Sequence, residues 1–331
     1  MNHRHLRLLG ATGAVAIAAV ALAACASGDT PAPDPTSGES TAITVATYPV
    51  MSNAAVYIGQ NEGIFADHGL DVTLQTITSG PDSIPLLLNG DLTFTSIDVP
   101  TAINAVKEDL GVVAVGAMMV GVDVDAGYVG VVTSPDSGIT GWAGLEGKKV
   151  GVNALGSTPV ALISASMKAV GADPSTVQWV QIAQPETIPA LLAGQLDAAN
   201  LAQPLLAAAE EQGFVQVGNP EQLTVPGVPT FIYVTTQAYA DAHPEAVKAF
   251  QAALQEANAA ANNDHALAIE TAKSSTTVDP AVLDKVTGFP HWGDQPITAA
   301  DLDKFIKFMI DAGQLDASTA PTGEDLLVKF N

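Results

Sequence analysis

Arginine is almost missing from this chain. Of its 12 basic residues only Arg4 and Arg7 are arginines, so residues 8–331 hold ten lysines and no guanidinium. That excludes the bidentate fork with which proteins most directly clamp a carboxylate, sulfonate or phosphate. Positive charge is scarce altogether: those ten lysines face 35 Asp and Glu, a balance of −25 beyond Arg7. A surface this acidic argues against nucleic acid and anionic lipid as partners. Cysteine occurs once, at Cys25, which rules out an intramolecular disulfide and leaves the folded part no thiol for catalysis. After residue 24 no apolar stretch reaches about 18 residues, the length a membrane-spanning helix needs.

Catalytic patterns are missing as well. His68, His243, His265 and His291 are scattered without metal-ligand spacing. No Gly-x-Ser-x-Gly, His-Glu-x-x-His or phosphate-loop motif occurs. Asp123 and Asp125 share a Gly-rich stretch, which reads as a solvated turn and not as a calcium loop. The chain is expected to be no enzyme and to need no cofactor or metal.

What is present begins with an export signal. Arg4 and Arg7 precede an apolar run over 8–24, which ends in Leu22-Ala23-Ala24 directly before Cys25. A basic start, a short apolar stretch and small residues make a secretory signal and not a membrane span. Leu-Ala-Ala-Cys resembles a bacterial lipobox, so residues 1–24 are expected to be a lipoprotein signal peptide with Cys25 the lipidated residue. Residues 26–42 are small, polar and Pro-rich and cannot bury a core, so 25–42 reads as a lipidated tether.

The remaining 290 or so residues are too many for one typical core and suit two lobes. A long internal repeat points the same way. At an offset of 104, Pro81, Ile84, Pro85, Leu87, Leu88, Gly90, Leu92 and Pro100 recur as Pro185, Ile188, Pro189, Leu191, Leu192, Gly194, Leu196 and Pro204. Proline and glycine fix backbone geometry, so their coincidence in register signals two similarly built units. Two such units imply a cleft.

Period and punctuation give the elements between them. Strands are expected at 43–47, 71–76, 92–96, 112–117, 149–153, 177–181, 197–201 and 214–217. Helices are expected at 53–65, 81–88, 100–106, 158–170, 185–192, 204–212, 244–262, 266–274 and 299–312. The β-branched runs 128–133 and 231–235 read as crossovers between the lobes. This alternation predicts parallel sheets with helices on both faces, which bind ligands outside the carboxyl ends of their strands.

Several segments, taken in order, carry a family resemblance. They are AITVATYP from Ala42, AAVYIGQNEGIFADHGLDVTL from Ala54, LLLNGDLTF from Leu86, GLEGKKVGVNALGST from Gly144 and IPALLAGQLDAANLAQP from Ile188. Together they resemble the substrate-binding proteins of nitrate/sulfonate/taurine-type ABC transporters, a group that includes thiamine-pyrimidine-precursor binders. The resemblance implies an α/β type II periplasmic-binding-protein fold, with two doubly wound lobes joined by two crossing strands. Lobe one would comprise 43–131 plus 233–331 and lobe two 132–232.

It further implies an extracytoplasmic, lipid-anchored, monomeric protein that delivers a small organic solute to ABC permease subunits by hinge closure. The solute would be a sulfonate- or nitrate-type anion or a pyrimidine-like heterocycle. Candidate contacts in lobe one are Tyr48 and Asn53 after the first strand, Ser79 and Gly80 before the second helix, and Asp98 after the third strand. In lobe two they are Asn153, Gly156, Ser157 and Thr158 at a helix start, where main-chain amides favour acceptor groups, and Gln203. Tyr233 and Trp292 are candidate walls for a flat ligand. Missing arginines weigh against an anion and toward a neutral, zwitterionic or heteroaromatic solute. Two alternatives stand beside this reading: a ligand-sensing lipoprotein that signals to a receptor, and a pyrimidine-precursor synthase-like enzyme. The synthases carry a Cys-rich signature that this chain lacks.

Overall fold

A computed structural model describes residues 40–330 except 78–79, 123–126, 223 and 277. Cys25, the leader, Ser79 and the Asp123/Asp125 pair therefore lie outside the described residues. The first run of elements is β1 (Thr41–Thr47), α1 (Ala54–Asn61), α2 (Ile64–Asp67), β2 (Leu70–Thr76), α3 (Gly80–Asn89), β3 (Thr95–Asp98), α4 (Val99–Lys107) and β4 (Val112–Val120). The second is β5 (Val129–Thr133), β6 (Lys149–Val152), α5 (Thr158–Ala169), β7 (Gln178–Gln181), α6 (Gln184–Leu192), β8 (Ala198–Ala202), α7 (Leu205–Glu211) and β9 (Val215–Gly218). The chain then returns through β10 (Pro229–Thr236), α8 (Gln237–Ala242), α9 (Pro244–Asn263), α10 (His265–Ser275), α11 (Pro280–Leu283), β11 (His291–Trp292), α12 (Ala299–Asp311) and α13 (Gly323–Leu326).

The expected elements are present, with ends moved by a few residues. One expected helix, 53–65, is instead two, broken at Glu62-Gly63. Short pieces with too few residues for a period, such as β11, α8, α11 and α13, had no sequence signal.

Both lobes are wound on one plan. The second sheet runs β7-β6-β8-β5-β9, with β5 antiparallel to both neighbours. In the first lobe β2 pairs with β1, and β1 meets β3 through the Val45–Phe94 bridge. From β3 the sheet continues β10-β4-β11, with β10 antiparallel to β3 and β4. Each sheet thus places its crossing strand in the same slot, between its third and fourth parallel strands. The parallel sheets expected from alternation are present, and each takes in an antiparallel crossing strand, which enters its sheet from the other lobe and so runs against it.

The repeat is carried by backbone. α3 and α6 hold Pro85 and Pro189 at matched positions. Both helices end at a glycine of positive φ, Gly90 at 83° and Gly194 at 66°, a conformation in which a side chain is strained. The closing bonds match too: Gly90 N–H to Leu87 and Gly194 N–H to Leu191, then Asp91 N–H to Leu86 and Gln195 N–H to Ala190.

Alternation along the strands splits the cores. On β5, Val131 joins the cluster with Val150, Ile163 and Met167, while Val132 joins that of Leu191, Leu201 and Leu206 on the opposite face. On β4, Val113 and Val115 face Phe250 and Leu254 of α9, and Val112 and Ala114 face Phe305 and Met309 of α12.

α5 departs from the one-faced pattern of a surface helix. Val160, Ile163 and Met167 pack on the second sheet, whereas Ala161 and Leu162 belong to the first lobe's cluster with Ile103 and Phe305. A helix apolar on more than one side is buried between layers. α5 is therefore the strut between the lobes, and Lys168 near its end donates to the carbonyl of Ala312. Among the described residues no helix is long and apolar enough to cross a membrane.

Candidate ligand-binding cleft

The carboxyl ends of the strands in each lobe face the other lobe, and the chemistry gathers there. After β1 the chain turns through Tyr48 to Asn53. The Tyr48 hydroxyl donates to the Ser96 carbonyl at 2.7 Å, and its oxygen lies beside Gly80. Burial pushes the Tyr48 hydroxyl up to about 12, so it remains a donor at neutral pH. Ser83 donates to the Gly80 carbonyl at 2.6 Å and receives the Thr95 hydroxyl at 2.8 Å, which fixes the start of α3. Tyr48, Gly80 and the end of β3 are thus one constellation.

Asp98 closes β3 and caps two helices at once. One carboxylate oxygen accepts Thr101 N–H of α4 at 3.0 Å. The other accepts Thr158 N–H, the first amide of α5 in the opposite lobe, at 2.9 Å. This bond joins residues 60 apart in sequence and is buried. A carboxylate at a helix N-terminus is favoured both by the free amides and by the helix dipole. The lobes are also tied at the surface by Lys285 and Glu211.

The second lobe's loop divides its residues. Ser157 stands at the N-cap of α5, but its hydroxyl donates back to the Ala154 carbonyl at 2.6 Å and caps no helical amide. Thr158 instead has a buried hydroxyl with no protein partner. Asn153 and Gly156 are exposed, and Gly156 opens toward α4, lining a 170 Å³ surface hollow with Pro100, Asn104 and Lys107. Gln203 is buried; its side-chain oxygen accepts Ala207 N–H at 3.2 Å, capping α7, and its backbone N–H donates to Tyr128.

Two aromatic expectations are corrected. Tyr233 is 1% exposed, its ring edge-on to Phe250 at 5.7 Å, so it is core and offers no free face to a solute. Trp292 is 0% exposed among Ala54, Ala55, Ile58, Ala261 and Ala268. Its indole N–H donates to the Ser52 carbonyl at 2.8 Å, while Asn262 clamps its backbone at 3.0 and 2.8 Å. Large rings carry the most apolar area and are drawn inside. Trp292 therefore acts from behind, holding the turn that presents Asn53. Trp292→Phe is expected to cost about 1–2 kcal/mol through the lost bond and the smaller ring. An unchanged urea midpoint for that variant would show that the turn stands without the indole.

Among the described residues, seven buried side-chain atoms have no protein partner: both amide atoms of Asn53, and one atom each of Ser96, Thr158, Gln184, Asn200 and Thr230. Asn53, Gln184 and Thr158 stand at the starts of α1, α6 and α5, and Ser96 and Asn200 in β3 and β8. Thr230 lies beside the β10 residue that pairs with Asp98. Buried polar groups ordinarily find partners, and these unpartnered ones gather at the facing strand ends.

Sequence reasoning missed two buried titratable groups, Tyr128 and Glu221. Tyr128, just before β5, is buried and reached by the Ser52 side chain and backbone; burial pushes its hydroxyl up to about 12. Glu221, in the segment between β9 and β10, is 3% exposed and acts on Tyr128 electrostatically. Burial raises the Glu221 carboxyl from 4.5 to about 8, which holds it protonated at neutral pH. An acid after Pro220 reads in sequence as an ordinary solvated turn; no local signal marks it as buried.

Comparison with known proteins fits this geometry. Residues 51–266 match the family described as NMT1/THI5 like. The taurine-binding periplasmic protein of Escherichia coli (strain K12) is 28% identical over 196 residues, which span 58% of this chain and 58% of that protein's own length. The alkanesulfonate-binding protein SsuA from Xanthomonas axonopodis pv. citri, bound to MOPS, superposes with a TM-score of 0.73 at 18% identity, over 89% of this chain and all of that one. The periplasmic nitrate-binding protein NrtA from Synechocystis PCC 6803 gives a TM-score of 0.68 at 16% identity, covering 85% and 84%. At such identities the superpositions establish the two-lobed periplasmic-binding fold.

Proposed function

The chain belongs to the NMT1/THI5-like family, and from that membership we propose that it is an extracytoplasmic solute-binding protein that feeds an ABC importer. A small solute binds between the lobes, and the closed form docks on the permease. The moving bodies are 43–131 plus 233–331 on one side and 132–232 on the other. Cys25 carries the lipid anchor, the tether over 26–42 gives it reach, and the protein works as a monomer without catalysis. The observation that carries this reading is the set of unpartnered buried polar atoms at the facing strand ends. The named functions of the relatives, taurine, alkanesulfonate and nitrate binding, agree with it.

A thermal-shift panel on the full chain tests it. A solute at about 100 times its dissociation constant adds about 2.7 kcal/mol of stability. No shift with taurine, alkanesulfonates, nitrate, amino acids or nitrogen heterocycles, and no ligand retained in native mass spectrometry, would remove the reading. For any hit, Thr158→Val is expected to weaken binding by about 1 kcal/mol, because it deletes an unpartnered hydroxyl at no cost in shape. Ser157→Ala is expected to leave affinity nearly unchanged, since that hydroxyl is already spent on Ala154. The reverse order by calorimetry would put the solute on the other side of the α5 start.

A further inference from the structure

We infer that α5 is a latch. It belongs to the second lobe, yet the first lobe grips it at its start, along one side and near its end, so the lobes rest closed through protein contacts alone. The inference concerns the conformation of the protein itself and does not depend on which solute it takes.

The first grip is at the start of α5. Thr158 N–H leads a helix of 12 residues, and the helix supplies no acceptor for its own leading amides. The acceptor is Asp98 Oδ2 of the first lobe, at 2.9 Å. Thr101 N–H already holds the other oxygen of that carboxylate at 3.0 Å, so Asp98 is fixed before it reaches across. The bond is buried and charge-assisted, and it sets an anion on the positive end of a helix.

The second grip has the opposite polarity. Lys168 lies ten residues beyond Thr158, about 15 Å along the helix axis. Its ammonium donates to the carbonyl of Ala312, the residue that caps the end of α12 in the first lobe. A side-chain carbon built on Gly313 would come within 3.1 Å of that ammonium, so the charge sits directly over the closing turn of α12. A cation is favoured at this negative end of a helix. Each lobe thus lends a charge to a helix terminus of the other.

Between the two grips, Ala161 and Leu162 are 1% and 2% exposed and belong to the first lobe's apolar cluster with Ile103, Phe305 and Met309. Parting the lobes bares them to water, which opposes opening. The Lys285–Glu211 ion pair adds a contact at the surface. Because α5 is one continuous helix, opening breaks both grips together.

Thr158 reports on this directly. The acceptor of its amide lies in the opposite lobe, so parting the lobes frees that amide to exchange with solvent while α5 stays helical. The test follows deuterium exchange of the Thr158 amide by nuclear magnetic resonance in the full chain without added solute. Wild type is compared with Lys168→Met, Lys285→Met and Lys304→Met, each checked for fold by circular dichroism. Lys304 pairs with Asp301 inside the first lobe and controls for the lost charge. Wild-type Thr158 is expected to exchange at least about tenfold slower than an unbonded amide, as a bond to a charged acceptor implies. Lys168→Met should speed it about threefold, although the changed side chain is too distant for a local effect. Lys285→Met should act in the same direction by a smaller factor, and Lys304→Met should match wild type. An unprotected Thr158 in wild type would mean that the lobes rest apart. Equal exchange in Lys168→Met and Lys304→Met would mean that the two ends of α5 do not act together. Either result overturns the latch and leaves the solute-binding reading intact.

Discussion

Asp98→Ala is expected to lower the unfolding free energy by about 2–3 kcal/mol and to part the lobes. Each N-cap bond of a carboxylate contributes about 1 kcal/mol, and bonds to a charged acceptor run higher. Asp98 makes two, to Thr101 N–H and to Thr158 N–H, and the second lies between lobes and out of water. Removing it also leaves the Thr158 amide beside a hydroxyl that already has no partner. Asp98→Asn separates the roles: its one acceptor oxygen can keep the α4 cap while the bond across the cleft is weakened. The ordering in urea unfolding should be wild type, Asn, Ala. Small-angle scattering without solute should give Ala a larger radius of gyration than wild type. Equal stability and equal scattering for all three would mean that the interlobe bond is not made in solution.

Glu221 carries the larger effect, and it depends on pH. In the folded protein the carboxyl sits at about 8 instead of 4.5. Between those values the folded state holds one proton more than the unfolded state, so stability falls as pH rises, by at most about 1.4 kcal/mol per pH unit. Below the lower value both states are protonated and there is no cost. Above the upper value the cost is complete, on the order of 5 kcal/mol. Glu221→Gln has nothing to ionise. Its stability relative to wild type should be near zero at pH 4.5, grow through neutrality and level off above pH 8. Taking the difference between the two proteins removes the contribution of every other titrating group. Parallel stability curves across that range would show Glu221 to be hydrated or paired.

The fold was legible because backbone-setting residues announce themselves. Pro85 with Pro189 and Gly90 with Gly194 dictate how a helix is entered and left, and they stand in register in the sequence as they do in space. The β-branched runs that became β5 and β10 were equally plain. In the cleft, position was legible and partnership was not. Asp98 could be placed at the end of a third strand, yet its bond to Thr158 depends on how two lobes meet, which no window of sequence contains. Ser157 and Thr158 are alike as letters; only the turn geometry decides which hydroxyl folds back on Ala154. Tyr233 and Trp292 were read as walls for a flat ligand, but a ring on a strand or in a loop has no period to reveal its side. Glu221 was invisible for the same reason, because it is buried near Tyr128, with Ser166 of α5 bonded to the neighbouring Pro220, and both come from distant parts of the chain.

The shared strand order of the two lobes has an engineering consequence. Since β5 and β10 fill the same slot in their sheets, the two halves present matched sockets: Asp98 ends the third strand on one side where Gln203 follows it on the other. The frame is common and the difference resides in a few side chains. Under the solute-binding function proposed above, specificity for one end of a solute would then be rewritten at a single socket, with the opposite socket and both sheets left as they are.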